Sequence, residues 1–172
     1  VSSSRESPIA DGSERKLAPV SITAERITRA IFTAILAGGG IVGLLTLLLT
    51  IKPGLLGGLL MLAGWAAIVV FAATWAWFWP PVRYRHTSYS VDDQGIMIRS
   101  GVVWRKVVSV PRSRVQHTDV SQGPIERGLD LATLIIHTAG TQNASTELGG
   151  LSQEIAFAVR DYLIDTDEQD AL

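Results

Sequence analysis

The chain has 172 residues, 15 Lys/Arg against 16 Asp/Glu for a net charge of −1, and 47% hydrophobic residues. It has no cysteine, which excludes disulfides, thiolate metal centres and cysteine nucleophiles. The net charge says little by itself, because almost all the charge lies outside one long apolar stretch: residues 83–172 alone hold 9 basic and 12 acidic side chains.

Taken in chain order, residues 1–25 open with VSSSRESPIADGSERKLAPV, rich in Ser, Pro and mixed charge with few core-forming side chains. They are predicted to be a disordered cytoplasmic tail. Ser21 to Arg29 is read as the start of a helix lying in the membrane interface.

From Ala30 to Val82 the only formal charge is Lys52, in a Lys52-Pro53-Gly54 turn. Ala30 to Ile51 is 22 uncharged residues and Leu55 to Trp79 is 25. At about 1.5 Å of rise per residue these reach roughly 33 and 37 Å, enough for a hydrocarbon core of about 30 Å. Residues 26–82 are therefore predicted to be a transmembrane helical hairpin, with spans at 30–51 and 55–79. The competing reading, two buried helices of a soluble core, leaves too little chain to wrap them. A cleaved signal peptide fits no better, because the apolar run is too long and no small-x-small cleavage region follows it. Gly39-x-x-x-Gly43 and Gly54-x-x-x-Gly58 have the spacing for close helix packing within the hairpin.

Arg15, Lys16, Arg26 and Arg29 precede the first span, Arg83 and Arg85 follow the second, and the turn carries only Lys52. This bias predicts both termini in the cytoplasm of a bacterial cell, as a multi-pass protein of the inner (plasma) membrane. Trp75, Trp77 and Trp79 are the expected interfacial anchors, and Pro80-Pro81 is expected to stop the second helix.

Beyond Arg83 the period becomes two. Strands are predicted at Ser88–Val91, Ile96–Arg99, Val102–Val110, Val115–Gln122, Leu131–Thr138 and Ala144–Leu148, with turns at Asp92–Gly95, Ser100-Gly101 and Gly123-Pro124 and a loop at Ala139–Asn143. Leu151, Ile155, Val159, Tyr162 and Leu163 then form one helical stripe, with Ser152 as its N-cap. The fold class is α+β: the transmembrane hairpin, then a bent antiparallel barrel or sandwich over 83–164 capped by the C-terminal helix, then an acidic tail at 165–172.

The stretch VPRSRVQHTDVSQGPIERGLDLATLIIHTAG, Val110 to Gly140, resembles the membrane-flanked bacterial pleckstrin-homology (PH) domain family, whose YdbS-like type carries two transmembrane helices ahead of one such domain. The most specific residues are Arg114, Asp119, Val120, Gln122, Gly123 and Pro124, followed by Gly128-Leu129 and Ala132-Thr133-Leu134. One departure is Asp130, where the family pattern leads one to expect glycine. The resemblance implies a PH-like fold, no catalytic activity, no cofactor and a binding or scaffolding role, often beside another PH-domain membrane protein.

Arg83, Arg85, Arg99, Arg105, Lys106, Arg112 and Arg114 form a basic series, with no acid from Gln94 to Thr118. Two readings stand: contact with anionic headgroups, or solubilising charges on strand edges. Strand parity across Val102–Val110 leaves open which of them share a face. His117 and Asp119, two apart on a strand, are half of a metal or acid–base site or else a surface hydrogen-bonded pair. The sequence places no third ligand, since His86 and His137 look isolated, so no metal or catalytic residue is assigned. Phe157 falls on the polar side of the last helix as a possible partner contact. The expected function is a membrane-anchored protein–protein module with the bilayer and a protein as partners and no nucleic acid. The alternative is a sensor of anionic headgroups through residues 99–114.

Overall fold

A computed structural model describes residues 9–139 and 145–164. The first eight residues, the loop at 140–143 with Ala144, and the expected acidic tail at 165–172 lie outside the described residues. The chain forms two compact units, Glu25–Pro80 and, separately, the residues up to Ala24 together with those from Pro81 onward.

The first unit is built on α1 (Ser21–Ile51) and α2 (Leu55–Arg85), each 31 residues long. Side chains such as Phe32, Leu49, Leu60 and Phe71 are more than half exposed on them. Both helices are long and apolar enough to cross a membrane. Lys52 closes α1 with a φ of 49°, its amide donating to the Leu48 carbonyl, and Pro53 blocks continuation. The helix begins at Ser21, as expected, and Ser21–Arg29 is its first part. Two expectations need correction. Pro80-Pro81 does not stop α2, which runs on to Arg85; the prolines remove only the donors for the Ala76 and Trp77 carbonyls. The glycine of closest helix approach is Gly40, where a Cβ would collide with the Trp65 ring, while Gly39, Gly43 and Gly54 have open space beside them.

The second unit is a two-sheet sandwich rather than a closed barrel. One sheet runs in the order β1 (Arg15–Lys16), β2 (Ser88–Asp92), β3 (Gly95–Ser100), β4 (Lys106–Pro111), and the other β5 (Val115–Ser121), β6 (Leu131–Thr138), β7 (Ser145–Ser152), all antiparallel. A 3-10 turn at Arg112–Arg114 joins the sheets, a short helix α3 (Pro124–Gly128) follows β5, and α4 (Gln153–Ile164) closes the unit. Alternation sets which residues go inward. Tyr89, Val91, Ile96, Ile98 and Val110 come from the first sheet, Ala132, Leu134, Ile136, Leu148 and Leu151 from the second, and Ala156, Val159 and Leu163 from α4. Ser152 accepts from the Ile155 amide at 3.4 Å, the N-cap geometry expected of it. The last strand is longer than its pattern suggests, running through Gly149-Gly150, so Leu151 belongs to β7 rather than to the helix.

The largest departure is at the N-terminus. Residues 9–20, part of the expected tail, are built into the sandwich. Arg15 and Lys16 pair with Tyr89 and Ser88, Gly12 donates to the Val91 carbonyl and Ala18 to that of Gly150, both at 2.9 Å. Ile9, Ala10 and Leu17 pack on the core. Glu14 accepts from Ser88 Oγ at 2.5 Å and pairs with Arg99 at 3.5 Å, and these partners, the Ser88 hydroxyl first, lower its pKa. The domain is therefore assembled from both sides of the hairpin, and a fragment starting at residue 83 would lack an edge strand.

Candidate functional site

The connection from β3 to β4 is the most exposed apolar feature of the second unit. Val102–Val110 was expected to be one strand, but the chain leaves the ladder from Gly101 to Arg105 and β4 starts only at Lys106. Gly101 sets this path: its φ is +116°, and a Cβ there would run into the Trp104 carbonyl oxygen. The turn leaves Val103 76% and Trp104 86% exposed, with Val107 exposed beside them on β4. Arg105 and Lys106 flank the tryptophan and are exposed as well. The register Ile98↔Val108 and Arg99↔Val107 resolves the strand parity: Val108 and Val110 turn toward the core, Val107 and Ser109 outward.

Two members of the basic series, Arg99 and Arg112, are engaged within the domain. Arg99 reaches Glu14 and the Met97 sulfur. Arg112 is not on an exposed turn: its guanidinium donates to the Tyr162 carbonyl at 2.6 Å and lies 4.2 Å from that ring's centroid. It is a lock between the sheet junction and α4, not a surface charge. Arg83, Arg85 and Arg114 are exposed, and the Arg85 carbonyl accepts from Lys16 Nζ at 3.0 Å.

The Gln122-Gly123-Pro124 signature is also structural. Gln122 Nε2 donates to the Leu131 carbonyl at 2.8 Å and to Gln153 Oε1 at 3.1 Å. The Gly123 amide donates to Glu126 at 2.8 Å, and Glu126 also accepts from Thr133 Oγ1 at 2.9 Å. Pro124 begins α3, where its missing N–H costs nothing. Asp130 has a φ of +52°, the conformation that makes glycine the expected residue there.

Trp75, Trp77 and Trp79 cluster at one end of α2, with Trp75 and Trp79 stacked at 4.5 Å and Arg26 lying 4.4 Å from the Trp77 ring. Phe157 is half-buried under Arg160, whose guanidinium sits 4.7 Å from its ring. That leaves a partner less of the ring than the helical pattern implies. Sequence reasoning missed two things. Trp104 was hidden inside an expected strand, although the Ser100-Gly101 turn signal lies only three residues ahead of it. His137 looked isolated because its neighbours, His117 and Asp119, come from another strand.

A PH-like sandwich closed by a C-terminal helix, on a chain with two membrane-length apolar helices, defines a membrane-associated PH-like module. The chain belongs to the bacterial PH domain family, whose model matches residues 30–166 and so takes in the apolar helices with the sandwich. Over 84 residues it is 39% identical to the UPF0699 transmembrane protein YdbS of Bacillus subtilis (strain 168), covering 49% of this chain and 51% of that protein. The chain thus matches about half the length of that relative. No solved structure gives a significant match. The N-terminal strand β1 lies ahead of the matched region.

Proposed function

We propose that this chain is a membrane-anchored binding module, not an enzyme, that acts through protein–protein contacts from the cytoplasmic face of a bacterial cell membrane. The observation that carries this is the Val103-Trp104 tip. A tryptophan held almost fully in solvent by a glycine-dependent turn, with a valine and two cations around it, has the composition of an interface hot spot. With a photo-crosslinking amino acid at Val103 in native membranes, the expected product is a discrete protein adduct, lost on Trp104→Ser. Adducts to lipid alone would remove the protein-partner reading.

A second reading has its own support. Arg105 and Lys106 beside Trp104 suit an anionic bilayer surface, at about 1 kcal/mol per cation close to the headgroups. The chain has no cysteine, so Val103→Cys gives a single labelling position. An environment-sensitive dye there should shift to the blue in nanodiscs of anionic lipid and return as salt shortens the Debye length below about 10 Å. An unchanged spectrum in anionic and neutral discs would sink this reading.

For orientation, the basic residues flanking the spans favour the cytoplasm. The pairing of β1 with β2 supports, independently of charge, a common side for both flanks of the hairpin, since such strands pair only if the chain between them crosses an even number of times. Trp75, Trp77 and Trp79 then sit at headgroup level. Reporter fusions at Gly54 and Asp167 should give opposite signals, with Asp167 cytoplasmic. An extracytoplasmic signal at Asp167 would reverse the assignment.

A further inference from the structure

The chain has three histidines, and the second sheet sets two of them face to face. A bulge in β5 between Val115 and His117 shifts the register by one residue. Continued without it, the Val115↔Thr138 pairing would set Gln116 against His137 and turn His117 toward the core. With it, His117 lies opposite His137 and Asp119 opposite Ile135, so the two imidazoles and the carboxylate share the outer face. The imidazole rings stack at 4.1 Å with 14° between their planes. Asp119 Oδ2 lies 3.3 Å from His137 Nε2 and 4.0 Å from His117 Nε2. One ligand atom from each residue falls within 4.8 Å of the others.

We propose that His117, Asp119 and His137 form a surface site for a late first-row divalent cation of the Zn²⁺ type. Ligand bonds of about 2.0–2.2 Å in a tetrahedral site put neighbouring donor atoms roughly 3.3–3.5 Å apart. The Asp119–His137 separation already has that value, the 4.0 Å from Asp119 to His117 must close by roughly 0.5–0.7 Å, and the exposed His117 ring must turn out of its stack on His137 for both lone pairs to meet one ion. Two imidazoles and one carboxylate select Zn²⁺, Co²⁺, Ni²⁺ or Cu²⁺ over the harder Mg²⁺ and Ca²⁺. Three protein ligands on an open sheet face leave at least one coordination position to water or to a donor from a bound partner. The ion would clip β5 to β6, and it does not involve the β3–β4 tip. In the alternative, a surface hydrogen-bonded cluster, Asp119 accepts from His137 at 3.3 Å while His117, at 4.0 Å, stays outside hydrogen-bond reach.

The test uses the untagged full chain in nanodiscs, titrated with Co²⁺ while the visible d–d absorption is followed, then with Zn²⁺ in competition. The expected result is one ion per chain, displaced by Zn²⁺ and not by Mg²⁺ or Ca²⁺. His117→Ala, His137→Ala and Asp119→Asn should each weaken binding by about 10-fold or more. His86→Ala should leave it unchanged. Metal-free melting should stay at the wild-type value in all four variants, which separates ligand loss from unfolding. Absence of stoichiometric binding, or binding that survives the double change His117→Ala with His137→Ala, would overturn the site.

Discussion

Val159→Asp is expected to unfold the PH-like domain while leaving the apolar helices intact. Val159 has no exposed surface and sits on α4 within the core formed by both sheets. The stripe that carries it, with Ala156 and Leu163, is the helix's contribution to that core. A carboxylate there enters a core of Ala, Val, Leu, Ile and Tyr side chains, so it is ionised at high cost or neutral and still unsatisfied. Changes of this kind exceed about 4 kcal/mol, against a total stability of about 5–15 kcal/mol for a domain. Leu163→Ala, which only opens a cavity, should cost about 2–5 kcal/mol and leave a folded domain with a lower midpoint. Limited proteolysis of the full chain in nanodiscs reads both. Wild-type protease resistance of the sandwich in Val159→Asp would mean that α4 does not close the core.

Much of this architecture was legible because it rests on local pattern. The two spans follow from an uncharged run broken by one lysine. The strands from Tyr89 to Ile98 follow from alternation, that from Leu131 to Thr138 from a β-branched run, and α4 from one stripe with Ser152 at its start. What escaped depends on partners distant in sequence. Arg15-Lys16 is too short to have a period and becomes a strand only because the edge of β2 is free to receive it. Pro80-Pro81 breaks a helix by the propensity of an isolated segment, at about 3 kcal/mol, yet α2 carries both. His137 joins His117 and Asp119 through a one-residue bulge that no alternation pattern announces. The basic series was legible as composition but not as geometry, since Arg99 and Arg112 are engaged within the domain. The same limit applies to the family signature at Gln122–Pro124. It identifies the fold because it fastens β5, β6 and α4 together, and for that reason it says little about what the domain binds.

Arg112→Glu is the second change expected to act strongly, and it acts on stability. The Arg112 backbone amide donates to the Gln94 carbonyl at 2.9 Å, which fixes the 3-10 turn against the β2–β3 hairpin. Its side chain then reaches the last turn of α4, where carbonyls have no partner within the helix, and satisfies Tyr162. A cation at a helix C-terminus is favoured by the dipole as well. The Tyr162 ring lies beneath the guanidinium, and its hydroxyl donates toward the Asp92 carbonyl at 3.3 Å. Burial pushes that hydroxyl's pKa up, while Arg112 pulls against it. Glutamate would leave the carbonyl unpaired and set a negative charge at the negative end of the helix. The charged hydrogen bond is worth about 1.5–3 kcal/mol and the cation–π contact about 0.5–2 kcal/mol, so a loss of about 2–5 kcal/mol is expected. Arg114→Glu, two residues on and exposed, should stay within about 0.5 kcal/mol of wild type. Thermal midpoints of the two single variants decide the matter. A clear drop for Arg112 alone makes any accompanying loss of binding a consequence of a loosened α4. Equal midpoints would return Arg112 to the exposed basic surface.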